Sequence, residues 1–438
     1  MSARKLAYKI LKSASVGASY SNIALDNAIK NNELSDADRS LVTAIVMGVT
    51  ERRITLDYII DSLASRVDMI EPETRIILQI GILQLIFLDR IPEYAAVNET
   101  VSLAPRRSTG FVNAVLRNLL RKKRAGELES IFPRENDDRD GYLSVRYSFP
   151  KEICAKFIEI YGYERAKRIL DVFNAPPKLT LKVNSLKVSR DEYLKILSDK
   201  GIAAETLDGV EDALILEDVA FSALPGFDEG WFFVQDVASQ LCVKAIGAEE
   251  NDLVIDTCSC PGSKSFGMAI SMKNRGEIYS FDLHRSKLSL IESSAKRLGI
   301  DIIEASVRDG RVPDESLFGK ADKVLCDVPC SGLGVIAKKP EIRYKDLEKT
   351  SRLPEIQYSI LESSANYVRV GGVLVYSTCT VLPEENCENI KKFLSEHEEF
   401  VPCDFKIGSW ESGDGMLSLS PDTDLTDGFF IAKLKRVK

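Results

Sequence analysis

The sequence predicts a multidomain protein: an all-α front, a small mixed α/β (α+β) middle, and a C-terminal doubly wound α/β sheet. Three observations carry this. Apolar residues recur at helical spacing up to about residue 125, as in Ala3, Leu6, Ala7, Ile10 and Leu11. The Pro176-Pro177 pair then turns the chain abruptly into the β-rich LTLKVN, Leu179 to Asn184. From about residue 229, short apolar runs alternate with helical stretches, as in a mostly parallel sheet wrapped by helices. At 438 residues the chain is too long for one ordinary core. The expected domains are 1–128, 143–228 and 229–438.

In the front part, Asp36 and the Glu71-Pro72 pair mark helix starts. IILQIGILQLIFL (Ile76 to Leu88) is shorter than the ~20 residues a membrane span needs. It also carries Gln79 and Gln84, so it reads as a buried core helix with no membrane partner. From Lys123 to Tyr142 the composition turns polar (RENDDRDG), which suggests a linker. In the middle part, two helical stretches precede LTLKVN. A helix near Arg190 to Lys200 and strands around Ala204 and Leu214 follow. In the last part, LVIDTCS, EIYSFDL, ADKVLCDVP and GVLVYSTCT each place an apolar run before polar or reactive residues. Between them lie helical stretches such as Leu288 to Leu298 and Pro354 to Val370. Ligands of such sheets bind at the carboxyl ends of the strands.

Composition is that of a soluble globular protein, 45% apolar and 28% charged. The N-terminus, MSARKLAYKI, lacks the apolar block of a secretory signal. Nine cysteines, an odd number without such a signal, predict free thiols in a reducing cytoplasm. The expected assembly state is a monomer. A net charge of −8 speaks against a uniformly basic nucleic-acid binder. One local patch stands out: Arg106, Arg107, Arg117, Arg121, Lys122, Lys123 and Arg124. RNA or another polyanion and a plain solvated helix end are both compatible with it.

The turn DTCSCPGSKS (Asp256 to Ser265) follows the first strand of the last part and leads into a helix, whose first N–H groups lack partners. It is not G-x-G-x-x-G, which disfavours a nicotinamide dinucleotide. Asp282 closes the second strand, where a carboxylate can accept both hydroxyls of a ribose. Asp309 follows the third, in a position suited to an adenine amino group. Each acid alone is more often a surface residue. Together with the Pro-Gly turn they favour an adenosine-type cofactor lacking a pyrophosphate, and S-adenosylmethionine fits.

Cys330 in DVPC and Cys379 in YSTCT each end a strand of the same sheet. A lone cysteine is usually a small buried hydrophobe, and Cys154, Cys242 and Cys403 are read that way. Zinc is disfavoured: the C-x-C and C-x3-C spacings of Cys258, Cys260, Cys326 and Cys330 match no common finger, and His284 and His397 are the only histidines. Methyl transfer to cytosine C5 explains a need for thiols. A thiolate adding to C6 makes C5 enamine-like and able to attack a sulfonium methyl. Afterwards the C5 proton must leave and the thiol must be expelled. Asp327, three residues before Cys330, is the candidate to donate or share a proton at N3. A free thiol is only a few per cent ionised at neutral pH, so the attacking cysteine needs activation. Lys264, a backbone dipole or the sulfonium charge are the candidates.

DTCSCPGSKS, FDL, RDGR, DVPCSGLGV, YSTCTVLPEEN and DGFFIAKL occur in the order seen in RNA (cytosine-5) methyltransferases of the NOL1/NOP2/Sun family. GWFFVQDVASQL resembles the segment introducing their catalytic domain. GFVNAVLRNLLR, with RIPEYAAVNETV before it, resembles a NusB-like RNA-binding domain. The resemblance spans essentially the whole chain. It implies a NusB-like front domain and a C-terminal Rossmann-like class I S-adenosylmethionine-dependent methyltransferase domain. It also implies 16S ribosomal RNA as partner, met at a single-stranded loop or bulge before full subunit assembly.

By resemblance, Cys379 attacks the base and Cys330 assists release of the methylated product. The cofactor loop then comprises Cys258, Ser259, Cys260, Pro261, Gly262, Ser263 and Lys264, with acids at Asp282, Asp309 and Asp327. The usual loop is closer to C-A-A-P-G-G-K. Ser263 in place of its second glycine adds a Cβ where the backbone approaches the ligand.

Alternatives are a tRNA (cytosine-5) methyltransferase, and a non-catalytic RNA-binding antitermination or ribosome-assembly factor. A DNA cytosine methyltransferase would leave Cys379 unexplained, because such enzymes use the P-C cysteine as nucleophile.

Overall fold

The computed structural model describes residues 2–15, 21–217, 219–424 and 426–438. The chain forms two compact units, Met1–Ala175 with Ile336–Leu347, and Pro176–Val335 with Glu348–Lys438.

The first unit is helical. Its front helices are Ala3–Ser15, Ser21–Lys30, Asp36–Leu63, Pro72–Ile86, Glu93–Leu103 and Thr109–Arg124. Ser35 caps the third, accepting the Asp38 N–H at 3.1 Å, and Asp36 and Asp38 complement the helix dipole. Pro72 opens the fourth, where its missing N–H costs nothing. That helix is buried on nearly every face, from Ile76 to Leu85, as its unbroken apolar run predicts. Its glutamines are satisfied: Gln79 donates to Asp57 at 2.9 Å, and Gln84 donates to the Ile80 carbonyl at 2.9 Å. No helix among the described residues is long and apolar enough to cross a membrane.

The polar stretch after residue 124 contains a 3-10 turn, Leu128–Ile131. It is followed by three helices, Arg139–Tyr147, Lys151–Tyr161 and Tyr163–Val172, where the sequence suggested two. They belong to the same compact unit as the front helices.

A break in the long helix Asp36–Leu63 accounts for part of this packing. Arg52 is non-helical there (φ −101°, ψ 16°), which strips Ile54 and Thr55 of their N–H acceptors and Thr50 and Glu51 of their carbonyl donors. The buried Ser148 hydroxyl accepts the Ile54 N–H at 3.0 Å. The carbonyls are met by the excursion Ile336–Leu347. Tyr344 donates to the Thr50 carbonyl, and Arg343 Nη1 to the Glu51 carbonyl, both at 2.8 Å. Arg343 is fully buried over the Phe149 ring and also donates to Asn174 Oδ1 at 2.9 Å. Burial draws its pKa down to about 10, so it remains a cation at neutral pH.

The second unit holds two sheets. β1 (Leu179–Val183), β2 (Glu205–Leu207), β3 (Val210–Leu216) and β4 (Phe232–Val234) pair antiparallel in the order β2-β3-β1-β4. The helix Arg190–Asp199 between β1 and β2 starts in a capping box of Ser189 and Glu192.

The larger sheet contains β5 (Leu253–Asp256), β6 (Glu277–Asp282), β7 (Ile303–Val307), β8 (Ala321–Asp327) and β9 (Val368–Thr378), all parallel. β10 (Phe400–Pro402) and β14 (Phe429–Arg436) complete the order β10-β14-β9-β8-β5-β6-β7. β14 runs antiparallel to β9, and β13 (Met416–Leu419) pairs with β14. β11 (Lys406–Ile407) and β12 (Trp410–Glu411) form a separate ribbon.

Alternation along the strands makes two cores. Val254, Leu325, Val373 and Val375 face one, with the helices Val237–Ile246 and Ser263–Ser271. Ile255, Val324, Leu374 and Tyr376 face the other, with the helices Leu353–Ala365 and Cys387–Glu396. This is the doubly wound, Rossmann-like architecture. Strand order reverses at β5, which opens a crevice at the carboxyl ends of β5 and β8.

Arg343→Ala removes a buried cation and strands the carbonyls it serves. It is expected to lower the unfolding free energy of the first unit by about 3 kcal/mol in urea titration, with Arg343→Lys recovering part of the loss. Unchanged stability of Arg343→Ala contradicts this account of the helix break.

Candidate active site

Parallel pairing of β8 with β9 places Cys326 opposite Tyr376 and Asp327 opposite Ser377. Beyond the strands the pairing continues, with the Val328 N–H to the Ser377 carbonyl at 3.1 Å and the Gly334 N–H to the Cys379 carbonyl at 2.9 Å. The loop after β8 therefore folds back onto the tip of β9. Cys330 and Cys379, 49 residues apart, meet with their sulfurs 3.2 Å apart. Of the nine free cysteines, only these two share a hydrogen bond among the described residues. The Cys330 thiol is held well above its ordinary range, chiefly by its hydrogen bond with Cys379, then by burial and by the charges of Cys379 and Glu385.

Asp327, the last residue of β8, has both oxygens engaged. Oδ2 accepts from Lys264 Nζ at 2.6 Å, and Oδ1 from the Ser377 hydroxyl at 2.7 Å. Lys264 lies 5.2 Å from the centre of the Phe429 ring. Burial alone would lower its pKa, but the charges of Asp327, Cys242 and Cys379 raise it well above the usual lysine value. Lys264 is thus a fixed ammonium whose electrostatic neighbours include the Cys379 sulfur.

The turn after β5 is held to the sheet by the Thr257 N–H to the Leu325 carbonyl at 3.0 Å and the Ser259 N–H to the Phe281 carbonyl at 2.8 Å. Cys258, half-buried, has its thiol pushed well up by burial and by nearby carboxylates and Cys326. Cys260 is half-buried and Pro261 exposed; the bond between them is cis. Gly262 carries the left-handed conformation, φ +102°, and a Cβ there would lie 2.5 Å from Phe266 Cζ. Ser263 opens the helix Ser263–Ser271 and its carbonyl accepts from Gln235 at 3.0 Å. The residue that must be glycine is therefore 262. Ser263 has no positive φ, so its Cβ adds no backbone strain.

Asp282 ends β6. Its Oδ1 accepts the His284 N–H at 2.9 Å, with Lys287 at 4.0 Å, and its Oδ2 has no hydrogen-bond partner among the described residues. Asp309, after β7, is ion-paired with Arg311 at 2.6 Å, which holds its carboxyl below the usual range.

Sequence reasoning missed Asp256, the last residue of β5. Its Oδ2 accepts from Ser265 at 2.6 Å, while its buried Oδ1 has no partner. Burial pushes its pKa up to about 7, against the hydrogen bond from Ser265. A partnerless buried carboxylate oxygen, a Pro-Gly turn ahead of a helix and an acid at the end of β6 suit a ligand with hydroxyl and amino donors. Sequence reasoning also missed Glu385 and Asn386, both buried at the tips of β8 and β9. Both lie in the motif YSTCTVLPEEN, where the family resemblance gives a role only to the cysteine, Cys379.

In the first unit, four residues of the basic patch meet carboxylates, Lys123 among them, 3.7 Å from Glu93. Arg107 pairs with Glu71 at 2.6 Å, Arg124 with Glu93 at 2.9 Å, and Lys122 with Glu127 at 3.6 Å. Arg106, Arg117 and Arg121 meet no carboxylate among the described residues; Arg117 and Arg121 reach asparagines on their own helix.

Comparison with known proteins agrees with this layout. The NusB family matches residues 1–121, an RsmF/B-like ferredoxin-like domain matches 149–220, and the 16S rRNA methyltransferase RsmB/F family matches 243–435. The chain is 36% identical to "Probable ribosomal RNA small subunit methyltransferase B" of Bacillus subtilis, over 99% of both chains. It is 31% identical to the ribosomal RNA small subunit methyltransferase B of Klebsiella pneumoniae, over 92% of this chain and 91% of that one. The solved structure of the protein PH0851 covers 99% of this chain and 98% of its own, at 26% identity and a TM-score of 0.79. A methyltransferase homologue from Pyrococcus horikoshii aligns over 67% of this chain and 98% of its own, at 26% identity and a TM-score of 0.58. A NusB-type front, a ferredoxin-like middle and a strand-end site on a Rossmann-like sheet, matched along the whole chain, place this protein in the RsmB/F family of ribosomal RNA methyltransferases, which use S-adenosylmethionine as methyl donor.

Proposed function

We propose that this enzyme methylates carbon 5 of a cytosine in 16S ribosomal RNA through a covalent adduct on Cys379. The observation that carries the reading is the pair of sulfurs 3.2 Å apart at the tips of β8 and β9, beside the Lys264–Asp327 ion pair. Methylation of an exocyclic oxygen or nitrogen needs no thiol. Methylation of C5 needs a nucleophile at C6 and a way to remove it, which is two jobs for two thiols.

The proposed roles are those the family resemblance implies. Cys379, whose sulfur has the Lys264 ammonium among its electrostatic neighbours, adds to C6. The proton held between Lys264 and Asp327 is shared with N3 as charge develops there. S-adenosylmethionine supplies an electrophilic methyl on a sulfonium. Cys330 acts last. The largest cause holding it as a thiol is its hydrogen bond with Cys379. Once the Cys379 sulfur is bonded to carbon, that cause and the Cys379 charge are gone, which lowers the Cys330 pKa from its held-up position; the thiol gives its proton to solvent and the thiolate takes the C5 proton. The C5–H electron pair re-forms the ring double bond, and the Sγ–C6 pair returns to Cys379.

Cys258, Ser259, Cys260, Pro261, Gly262, Ser263 and Lys264 would form the cofactor cradle. Asp282 would take the ribose hydroxyls through its unpartnered oxygen. Asp309 would serve the adenine end on release from Arg311, and Asp327 would border the cofactor and the base. The RNA would be met by the domain 1–128, with Arg106, Arg117 and Arg121 as cations available to phosphates. The domains 143–228 and 229–438 would carry the linking and catalytic parts. The base must be unstacked to reach the strand ends, so a loop or bulge of RNA not yet fully assembled into the subunit is the proposed substrate. A cytoplasmic monomer suffices for this.

With unmodified 16S RNA and labelled S-adenosylmethionine, Cys379→Ala is expected to abolish transfer. Cys330→Ala is expected to accumulate a protein–RNA adduct that survives denaturing gels. A fully active Cys379→Ala enzyme contradicts the mechanism, and preferential methylation of tRNA contradicts the substrate.

Asp256 gives a pH test. Its folded pKa of about 7 exceeds the ordinary carboxylate value, so the folded state binds the extra proton. Its contribution to stability is complete below about pH 4 and is lost as pH rises through 7. Asp256→Asn, without that titration, is expected to gain in Tm relative to wild type between pH 5 and pH 8. A pH-independent difference contradicts the assignment.

A further inference from the structure

We propose that Glu385 and Asn386 are a positioning pair that sets the two thiols separately, Glu385 through the loop of Cys330 and Asn386 through the turn of Cys379. The proposal rests on the assignment of attack to Cys379 and release to Cys330.

The run YSTCTVLPEEN returns to the strand tips through the 3-10 turn Pro383–Glu385, closed by the Asn386 N–H to the Pro383 carbonyl at 3.0 Å. Glu385 is fully buried. Its Oε2 accepts the Ser331 N–H at 2.9 Å and Gln357 Nε2 at 2.7 Å. Gln357 Nε2 also donates to the Pro329 carbonyl at 3.0 Å. The residues on either side of Cys330 are thus gripped from one carboxylate and its amide neighbour. Asn386 does the same for Cys379. Its Oδ1 accepts the Thr378 hydroxyl at 2.5 Å, and its Nδ2 donates to the Thr380 carbonyl at 3.0 Å. The Ser331 and Thr380 hydroxyls, 2.6 Å apart, tie the two loops together.

Burying a carboxylate with one oxygen, Oε1, unpartnered is unfavourable for the fold. An apolar residue would pack this turn at lower cost, which makes a role in shaping the site the physical reason for Glu385. The two side chains grip different loops, Glu385 the flank of Cys330 and Asn386 the flanks of Cys379, so each cysteine has its own anchor although 385 and 386 are neighbours and the Ser331–Thr380 contact links the loops. A misplacement of about 1 Å at a reacting group costs on the order of 100-fold in rate.

Separate anchors give different leading signatures at the two positions. In single-turnover reactions at saturating RNA and S-adenosylmethionine, Asn386→Ala is expected to slow methyl transfer by about 10-fold or more, with KM for RNA unchanged and no adduct accumulating. Glu385→Ala is expected to transfer methyl within about 3-fold of the wild-type rate and to retain methylated RNA covalently, because release is impaired. Glu385→Gln keeps an acceptor for Ser331 and Gln357 and is expected to restore release. Equal slowing of both steps in both variants, without adduct, overturns the proposal and marks the two residues as merely structural.

A second measurement stands apart from the mechanism. Diamide takes two electrons and two protons from neighbouring thiols, leaving a disulfide and the hydrazine. Peptide mapping is expected to show Cys330–Cys379 cross-linking in wild type and about 10-fold slower cross-linking in Asn386→Ala and Glu385→Ala. If Cys379→Ala proves active, the roles of the thiols fall and this rate still decides the positioning. An unchanged rate overturns the positioning whatever the thiols do.

Discussion

The site depends on one constraint, the parallel register of β8 against β9. With Asp327 opposite Ser377, the two strand ends deliver an acid, two cysteines and a hydroxyl to one edge of the sheet. A slip of one residue would turn each side chain to the other face. That register is itself fixed by burial. Leu325 and Val375 enter one core while Val324, Cys326, Leu374 and Tyr376 enter the other, so a slip would exchange side chains of different size between two close-packed cores. The catalytic chemistry is in this sense set by the packing of residues that never meet the substrate.

Around that edge, charges are placed where water is largely absent. Lys264 and Asp327 form a near-buried pair at 2.6 Å, in which each ion is also satisfied by another group, Ser377 on Asp327 and the Phe429 ring near Lys264. Such a pair adds little to stability, because desolvation offsets much of its attraction. In the proposed mechanism it provides a fixed positive charge near a thiol and a proton for the ring. In the same proposal, the Cys330 thiol, held up while Cys379 is free, would give the two sulfurs an order of action without any histidine. The scarcity of histidine in this chain is therefore no obstacle to acid–base work at the site.

Much of the fold was legible from periodicity. The front helices, the Pro72 helix start, the buried helix around Ile76 to Leu85 and the large sheet's β5, β6, β8 and β9 all lie where apolar spacing and turn residues put them. The strand-end location of Cys330, Cys379, Asp282 and Asp327 followed from the same pattern. What local sequence did not carry was partnership across the chain. The break at Arg52 has no proline or glycine to announce it, and its orphaned groups are met by Ser148, Arg343 and Tyr344, the last two almost 300 residues later. The third helix after the polar stretch was hidden because only one residue, Gly162, separates the helices Lys151–Tyr161 and Tyr163–Val172. Gly262 is the residue of the loop with a left-handed backbone, which the sequence did not single out from its neighbour Ser263. Glu385 and Asn386 were visible only as part of a family motif, because nothing in PEEN itself reveals that tertiary packing buries them.

The central claim is that attack belongs to Cys379 and not to Cys330. The most direct measurement uses 16S RNA carrying 5-fluorocytosine, in which the adduct methylated at C5 has no proton to lose. After reaction with the wild-type enzyme and S-adenosylmethionine, nuclease and protease digestion followed by mass spectrometry locates the trapped nucleotide. The account predicts it on the peptide containing Cys379. A nucleotide on Cys330, or no covalent product from RNA that is methylated when unsubstituted, contradicts it.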